Sequence, residues 1–530
     1  MLFVVIGFLL WSTMLADGRS PALILTPYLK ANHIELARNT SLVDSENFLN
    51  VSSHAGFLTV DEKYNSNIFF WFLPVEMPGK VLEDTPWIIW LQGGPGASSI
   101  AGLFDEIGPF EYVDGKLKRR PWTWTKKHSV LFIDNPIGAG FSFTDSDNGF
   151  IEDMSMCATH LYKVVQQFVT MFPELRKAPL YIAGESYAGR YIPALATKIL
   201  DQDIELGPLD VNLQGIIMGN PVMNRNVIAD YSGIYHQWGL IDAQGVLAVK
   251  HLQDAYTKAI KDRHSATATD LRNKLLDRLS DITMQQQNFN LLADNLESRL
   301  KSFINYITHP EISDAIHAGD IQFTFSNATV HTKLTPDFLS EVDSKMEKLL
   351  EHYRVLIYCG QLDLTAPCVP NEEDRRRNWH WSKRDEFLKA PRTPWWYDKS
   401  VAGYVKSGGH FTEVLVRGAG HLVPIDKPAE LLQLVSFFIR GIDMPLPSNY
   451  VSDPDFTPEY IEVQTLNEEN TADSSAVKIT MGLSLFINVI LICGILAGIV
   501  YGLRWRRRNE MFMYNNVEET SITEGVLAMS

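Results

Sequence analysis

Cysteine is scarce in this chain. Cys157, Cys359, Cys368 and Cys493 are all that 530 residues hold. Cys493 falls in an apolar segment near the C terminus, and the three that remain cannot all pair with one another. Cys359 and Cys368 are near enough in sequence to close a small loop where the compartment is oxidising. Basic residues are also in deficit: 47 Lys and Arg stand against 63 Asp and Glu, a formal charge of −16. That balance argues against a nucleic-acid partner, which wants a basic face. No internal repeat is visible, so repeat architectures are set aside.

Two stretches lack charge altogether. Residues 1–15 are almost wholly apolar before Ala16-Asp17-Gly18-Arg19 breaks the run. This is short for a membrane span and suits a secretory signal peptide over 1–18, although its start carries no basic residue. Residues 479–503 hold no charged side chain across 25 positions. At about 1.5 Å rise per residue that is roughly 37 Å against about 30 Å of hydrocarbon, so the stretch can span. Arg504-Trp505-Arg506-Arg507-Arg508 follows, a basic cluster that stays cytoplasmic. The reading is a single-pass type I protein of the secretory or endolysosomal system: a lumenal domain over 19–442, a Pro- and acid-rich stalk over 443–478, the span, and a tail over 504–530. Three N-x-S/T sequons, at Asn39, Asn50 and Asn327, fall on the lumenal side as glycosylation candidates. Tyr514-Asn515-Asn516-Val517 in the tail has the Tyr-x-x-apolar form of a sorting signal for a cytoplasmic adaptor.

What is present is organised around Gly184-Glu185-Ser186-Tyr187-Ala188-Gly189. The apolar run 180–183 before it reads as a buried strand and 191–200 after it as a helix. A serine on so sharp a turn needs minimal side chains two positions either side, and Gly184 and Ala188 provide them.

Along the chain, 56–60 and 67–73 read as strands, and 87–91 as a strand buried on both faces. It runs into Gln92-Gly93-Gly94-Pro95-Gly96, whose unshielded N–H groups can line an oxyanion hole. Residues 129–134 form another strand. The glycine-rich Asn135–Gly140 loop after it lacks the lysine of a phosphate-binding loop and reads as structural. A helix over 154–172, the serine strand, a helix and the strand 213–219 continue the alternation that implies a parallel sheet. From about 221 to 337 helix-forming sequence takes over, with helices expected at 255–278 and 291–304. This is a helical insertion placed as a cap over the sheet. The sheet resumes at 354–358, 371–397 reads as an irregular excursion with a partly helical stretch, 411–416 is the last strand, and a helix over 429–439 closes the domain.

Ser186, Asp363 and His421 each stand just past a strand, and their chain order is that of the α/β hydrolases. The fold expected is therefore an α/β-hydrolase with a mostly parallel central sheet and a helical cap. Ser186 would attack an acyl carbon, His421 would take its proton, and Asp363 would orient the imidazole. The N–H groups of Gly94 and Tyr187 are the oxyanion candidates. His410 is the rival base, but it precedes its strand. No metal or other cofactor is called for.

The blocks Trp90-Leu91-Gln92-Gly93-Gly94-Pro95-Gly96-Ala97-Ser98-Ser99, Gly184-Glu185-Ser186-Tyr187-Ala188-Gly189 and Gly418-Ala419-Gly420-His421 resemble those of the serine carboxypeptidases, nearest the vitellogenic-like ones. The likeness covers roughly 56–442. It implies removal of single residues from peptide C-termini, usually at acid pH, with the terminal carboxylate held by an amide before the glycine pair, the first glycine of that pair and two glutamates. In this sequence those are Gln92, Gly93, Glu106 and Glu185. Carboxylates bind a carboxylate only where one of them holds a proton, so binding should weaken towards neutral pH. Gln92 replaces the family's usual asparagine, as in the vitellogenic-like branch. Ala97 stands where many members have a disulfide cysteine, so their bridges do not carry over. Two alternatives stay open: an acyltransferase or esterase on the same triad, and a non-catalytic membrane receptor on the hydrolase scaffold.

Overall fold

The computed structural model describes residues 20–446, apart from 78, 203–204, 224–229, 286 and 294–300. The signal peptide, most of the stalk, the 479–503 segment and the tail with Tyr514 lie outside the described residues. Among those described, no helix is long and apolar enough to cross a membrane.

A ten-stranded mixed sheet carries the domain. In chain order its strands are β1 (His54–Asp61), β2 (Ser66–Leu73), β3 (Trp87–Leu91), β6 (Ser129–Ile133), β7 (Pro179–Glu185), β8 (Asn212–Gly219), β9 (Arg354–Gly360), β10 (Arg392–Tyr397), β11 (Ser400–Gly408) and β12 (Phe411–Val416); β4 (Phe110–Val113) and β5 (Lys116–Arg119) make a separate hairpin. The spatial order is β1-β2-β6-β3-β7-β8-β9-β12-β11-β10. The six strands from β6 to β12 run parallel, and an antiparallel pair flanks them at each edge.

The pleat explains why the central strands read as unbroken apolar runs: alternate side chains feed two separate cores. Trp87, Ile89 and Leu91 of β3 join a core with the helices Met154–Met171, Ala188–Asp201 and Asp343–His352. Ile88 and Trp90 join the opposite core, packed by the helix Pro428–Arg440. Asp153 caps the Met154–Met171 helix by accepting from Met156 N at 2.8 Å, and Gly441 ends the Pro428–Arg440 helix in the left-handed conformation at φ 66°.

Three expectations of secondary structure are corrected. The stretch 371–397 is partly helical as expected, in Cys368–Asn378 and Arg384–Lys389, but its remainder is not irregular: it leads into β10, and β11 continues the sheet. On β10 Trp395 is the one fully buried side chain, so no clean alternation marks that edge strand. The helix expected at 255–278 is two, Ala243–Lys261 and Ser265–Thr283. Arg263 turns the chain between them at φ 58°, a break that helical periodicity on either side conceals. Of the helix expected at 291–304, residues 294–300 lie outside the described residues, 291–293 and 301–303 are not helical, and a short helix, Ile304–Ile307, begins at its last position. The insertion builds a third, smaller core from Tyr231, Tyr235, Val249, Leu275 and Leu279, which closes on Leu364 of the main body.

Candidate active site

Ser186 directly follows β7 in a left-handed backbone at φ 56°, a conformation that costs a non-glycine residue on the order of 1–3 kcal/mol. Its neighbours hold it there: Ser186 N donates to Gly219 O at 2.9 Å and Val222 N donates to Ser186 O at 2.8 Å. A Cβ on Gly184 would sit 2.2 Å from Leu91 O and 2.8 Å from Ala188 Cβ. Position 184 must therefore be glycine, whereas position 188 carries alanine. A Cβ on Gly93 would meet Ser186 Cβ at 2.7 Å and Tyr187 N at 2.8 Å. Absence of side chain there lets the β3 loop lie against the elbow. Gly94 and Gly96 have φ of 111° and 84°. Among the described residues, neither Gly94 N–H nor Tyr187 N–H finds an acceptor.

Asp363 and His421 are brought together. His421 Nδ1 lies 2.7 Å from Asp363 Oδ2, both side chains buried. Asp363 Oδ1 accepts from Thr365 N at 2.7 Å and Ala366 N at 3.0 Å, so the carboxylate cannot rotate. Phe289, from the insertion, stacks on the imidazole at 5.3 Å between centroids, and its carbonyl accepts from His421 N at 2.5 Å. Cys359 and Cys368 are disulfide-bonded with Cα atoms 5.9 Å apart, closing the loop that bears Asp363. His410 is exposed at the opposite end of β12 and contacts Lys383; the sheet separates it from Ser186.

The acidic candidates form one buried cluster. Gln92 Nε2 donates to Glu106 Oε1 at 3.0 Å and to Glu185 Oε1 at 2.7 Å. Trp90 Nε1 donates to Gln92 Oε1 at 2.9 Å and fixes which end of the amide faces the acids. Gly102 opens the π-helical turn Gly102–Glu106, since a Cβ there would strike Trp90 Nε1 at 2.2 Å. Glu106 and Glu185 are 2% and 1% exposed, and Oε2 of each receives no donor. Burial raises Glu106 to about 7 against the pull of its hydrogen bond from Gln92. Burial, then the charge of Glu106, raises Glu185 well above the carboxylate range. Two acids in so dry a site hold a proton between them under conditions where an exposed pair would hold none. Tyr358 is buried nearby with its hydroxyl unpartnered. Burial and then the two glutamates push its phenol higher still.

Sequence reasoning missed two residues that shape this site. Asn220 Nδ2 donates to Asp363 Oδ2 at 2.5 Å, the oxygen His421 uses, and Asn220 Oδ1 accepts from Gly360 N at 3.2 Å. Its signal was position, one residue past β8, as Ser186, Asp363 and His421 stand past theirs. Asp134 is the other. Its Oδ1 accepts from Ser98 Oγ at 2.6 Å and Ser99 N at 2.9 Å, and its Oδ2 from Phe141 N at 3.0 Å. It pins the Gly93–Ser99 loop to the Asn135–Gly140 loop, which is structural in that sense. Of the sequon asparagines, Asn39 and Asn50 are exposed. Asn327 is half-buried: Nδ2 donates to Gly138 O at 2.9 Å, while Oδ1 caps the helix Ala328–Leu334.

The family model for serine carboxypeptidases matches residues 44–441. A venom serine carboxypeptidase of Apis mellifera is 36% identical over 431 residues, covering 79% of this chain and 91% of that protein. A vitellogenic carboxypeptidase of Aedes aegypti is 36% identical over 78% of this chain and 89% of its own length. A probable serine carboxypeptidase of Homo sapiens, CPVL, is 35% identical over 80% and 90%. Among solved structures, Kex1Δp, a prohormone-processing carboxypeptidase from Saccharomyces cerevisiae, superposes with a TM-score of 0.68 over 78% of this chain and 98% of that one, at 24% identity. That likeness supports the fold.

Proposed function

This chain belongs to the serine carboxypeptidase family, and from that premise we propose how its residues divide the work. Ser186 is the nucleophile, His421 the general base and Asp363 the residue that orients the imidazole and stabilises it once protonated. The N–H groups of Gly94 and Tyr187 receive the oxyanion, and their lack of acceptors supports that role. Gln92, Gly93, Glu106 and Glu185 hold the free carboxyl end of the peptide.

The observation that carries the reading is the adjacency of Glu185 to Ser186 within the buried acid pair. A substrate held by its terminal carboxylate on that pair places its last peptide bond over the serine. His421 Nε2 takes the Ser186 Oγ proton as the serine attacks, then returns it to the departing amino acid. Water then cleaves the acyl-enzyme by the same route. The site works best where the pair keeps its proton, below about pH 7. Ser186→Ala in the full chain should abolish release of C-terminal residues from N-blocked dipeptides at about pH 5, with the urea unfolding midpoint retained. Unchanged release would overturn the assignment.

The proposal extends to the ends of the chain. Residues 479–503 span the membrane once, the 504–508 basic cluster faces the cytoplasm, and the enzyme domain is lumenal or extracellular. The absence of charge across the segment and the flank that follows it support this topology. Asn39 and Asn50, both exposed, are the better placed of the three sequons for glycans, and Tyr514 serves an adaptor. Carbonate extraction of membranes is the test: release of the full chain into the supernatant would overturn the anchor. Unchanged steady-state location of Tyr514→Ala would remove the adaptor.

A further inference from the structure

A cavity of about 70 Å³ lies beside the Asp363 loop, its lining including Val222, Tyr231, Tyr256, Arg272, Leu339 and Ala366. That is the volume of about two waters in bulk, room for a short side chain. Its walls are the segments that brace the reacting residues: Val222 N holds Ser186 O, and Ala366 N holds Asp363 Oδ1.

Arg272 comes from the cap helix Ser265–Thr283. Its Nε donates to Tyr231 Oη at 2.8 Å and its Nη2 to Thr365 O at 2.8 Å. Thr365 N in turn donates to Asp363 Oδ1, so a single residue separates the guanidinium from Asp363 without an ion pair between them. Two of the five guanidinium donors that an arginine carries are thus used. Among the described residues no carboxylate pairs with it. A largely enclosed cation held by neutral groups is costly unless something anionic completes it, and a guanidinium fixed on two sides presents its remaining fork to a carboxylate.

Position in the sheet says which substrate residue meets it. In the order β3-β7-β8-β9, the carboxylate clamp follows β3 and Ser186 follows β7. The cavity walls follow β8 and β9. A peptide whose terminal carboxyl sits on the clamp, with its scissile bond over Ser186, therefore runs its remaining chain toward the cavity. Resting on the function proposed above, we infer that this cavity receives the side chain of the penultimate residue and that Arg272 makes the enzyme prefer glutamate or aspartate there.

The test uses the full chain and N-blocked dipeptides that share one C-terminal residue and carry Glu, Gln, Leu or Lys before it. Glu should exceed its uncharged isostere Gln by about tenfold or more in kcat/KM, as expected for a charge-assisted pair, and Lys should be the poorest. Arg272→Gln should bring the Glu to Gln ratio to about one or below, the Gln substrate reporting that the variant is folded. Arg272→Lys should restore part of the preference if Arg272→Gln is inactive on every substrate. Equal rates for Glu and Gln in the wild type, a ratio that survives loss of the arginine, or acid preference at the terminal residue instead would each overturn the inference. Turnover of none of the four substrates by the wild type would overturn the carboxypeptidase assignment, and this one with it.

Discussion

Glu106→Gln tests the buried acid pair with least disturbance, since it removes a charge and keeps the shape. In the wild type Glu106 is raised from its ordinary 4.5 to about 7, chiefly by burial. Between those values the folded protein keeps a proton that the unfolded chain has released. Stability is therefore full below about pH 4.5, falls as pH rises through the window and levels off above about 7. At about 1.4 kcal/mol for each tenfold change in proton affinity, the loss is about 3 kcal/mol. Glu185, raised in the same direction, adds to the slope. The variant loses the Glu106 contribution outright. It also relieves Glu185 of a negative neighbour, so its stability should vary far less over the window. Urea unfolding at fixed ionic strength, at about pH 4.5 and about pH 7.5, reads the difference as the change in midpoint. Parallel curves for the two proteins would refute the reasoning. A second readout lies in substrate binding. Raising the pH past about 7 should increase the wild-type KM for a blocked dipeptide acid as the clamp loses its proton, whereas the glutamine amide donates without one.

Three further predictions follow from contacts described above. Gly93→Ala drives a Cβ into Ser186 Cβ and Tyr187 N at 2.7 and 2.8 Å, moving both the proposed nucleophile and the proposed oxyanion donor; kcat/KM should fall about 100-fold or more, and wild-type turnover would contradict the packing. Asn220→Ala removes a donor from the Asp363 oxygen that orients His421. At about 1.5–3 kcal/mol for a hydrogen bond to a charged group, kcat should drop roughly 10- to 150-fold with KM little changed, and an effect confined to KM would assign Asn220 to binding instead. Replacing Cys359 and Cys368 together by serine opens a loop of sequence separation 9, and unfolding by urea should show a loss of about 3 kcal/mol; an unchanged midpoint would show that the loop is held by its other contacts.

The parallel centre of the sheet was legible because strands buried on both faces leave unbroken apolar runs, as at β3 and β6. Ser186, Asp363 and His421 stood out because each follows the C-terminal end of such a strand. The antiparallel edge formed by β10 and β11 was not: β10 buries only Trp395 and β11 only Ala402, Gly403 and Val405, so neither shows a clean alternation. The cap was read as helical, but its internal turn at Arg263 depends on how two helices pack on each other. Asn220 was hidden for a different reason. Its place one residue past β8 marked it only as a candidate; its importance lies in a hydrogen bond to a residue 143 positions away, and nothing local names that partner. Asp134 was read as a strand end for the same cause, its partners arriving from two separate loops.

The contact between Phe289 and His421 makes the insertion something other than an interchangeable module. Its ring covers the imidazole and its carbonyl receives the His421 N–H, while a Cβ on Gly420 would come within 2.3 Å of that carbonyl. Asn290 reaches Asp426 on the far side of the same turn, and Asp426 also accepts from Gly420 N. Anyone grafting a cap from one relative onto the body of another, in order to change what the enzyme cuts, is therefore transplanting half the seat of its histidine. Such chimeras need 287–290 and 418–426 drawn from the same parent, with the crossover placed outside both.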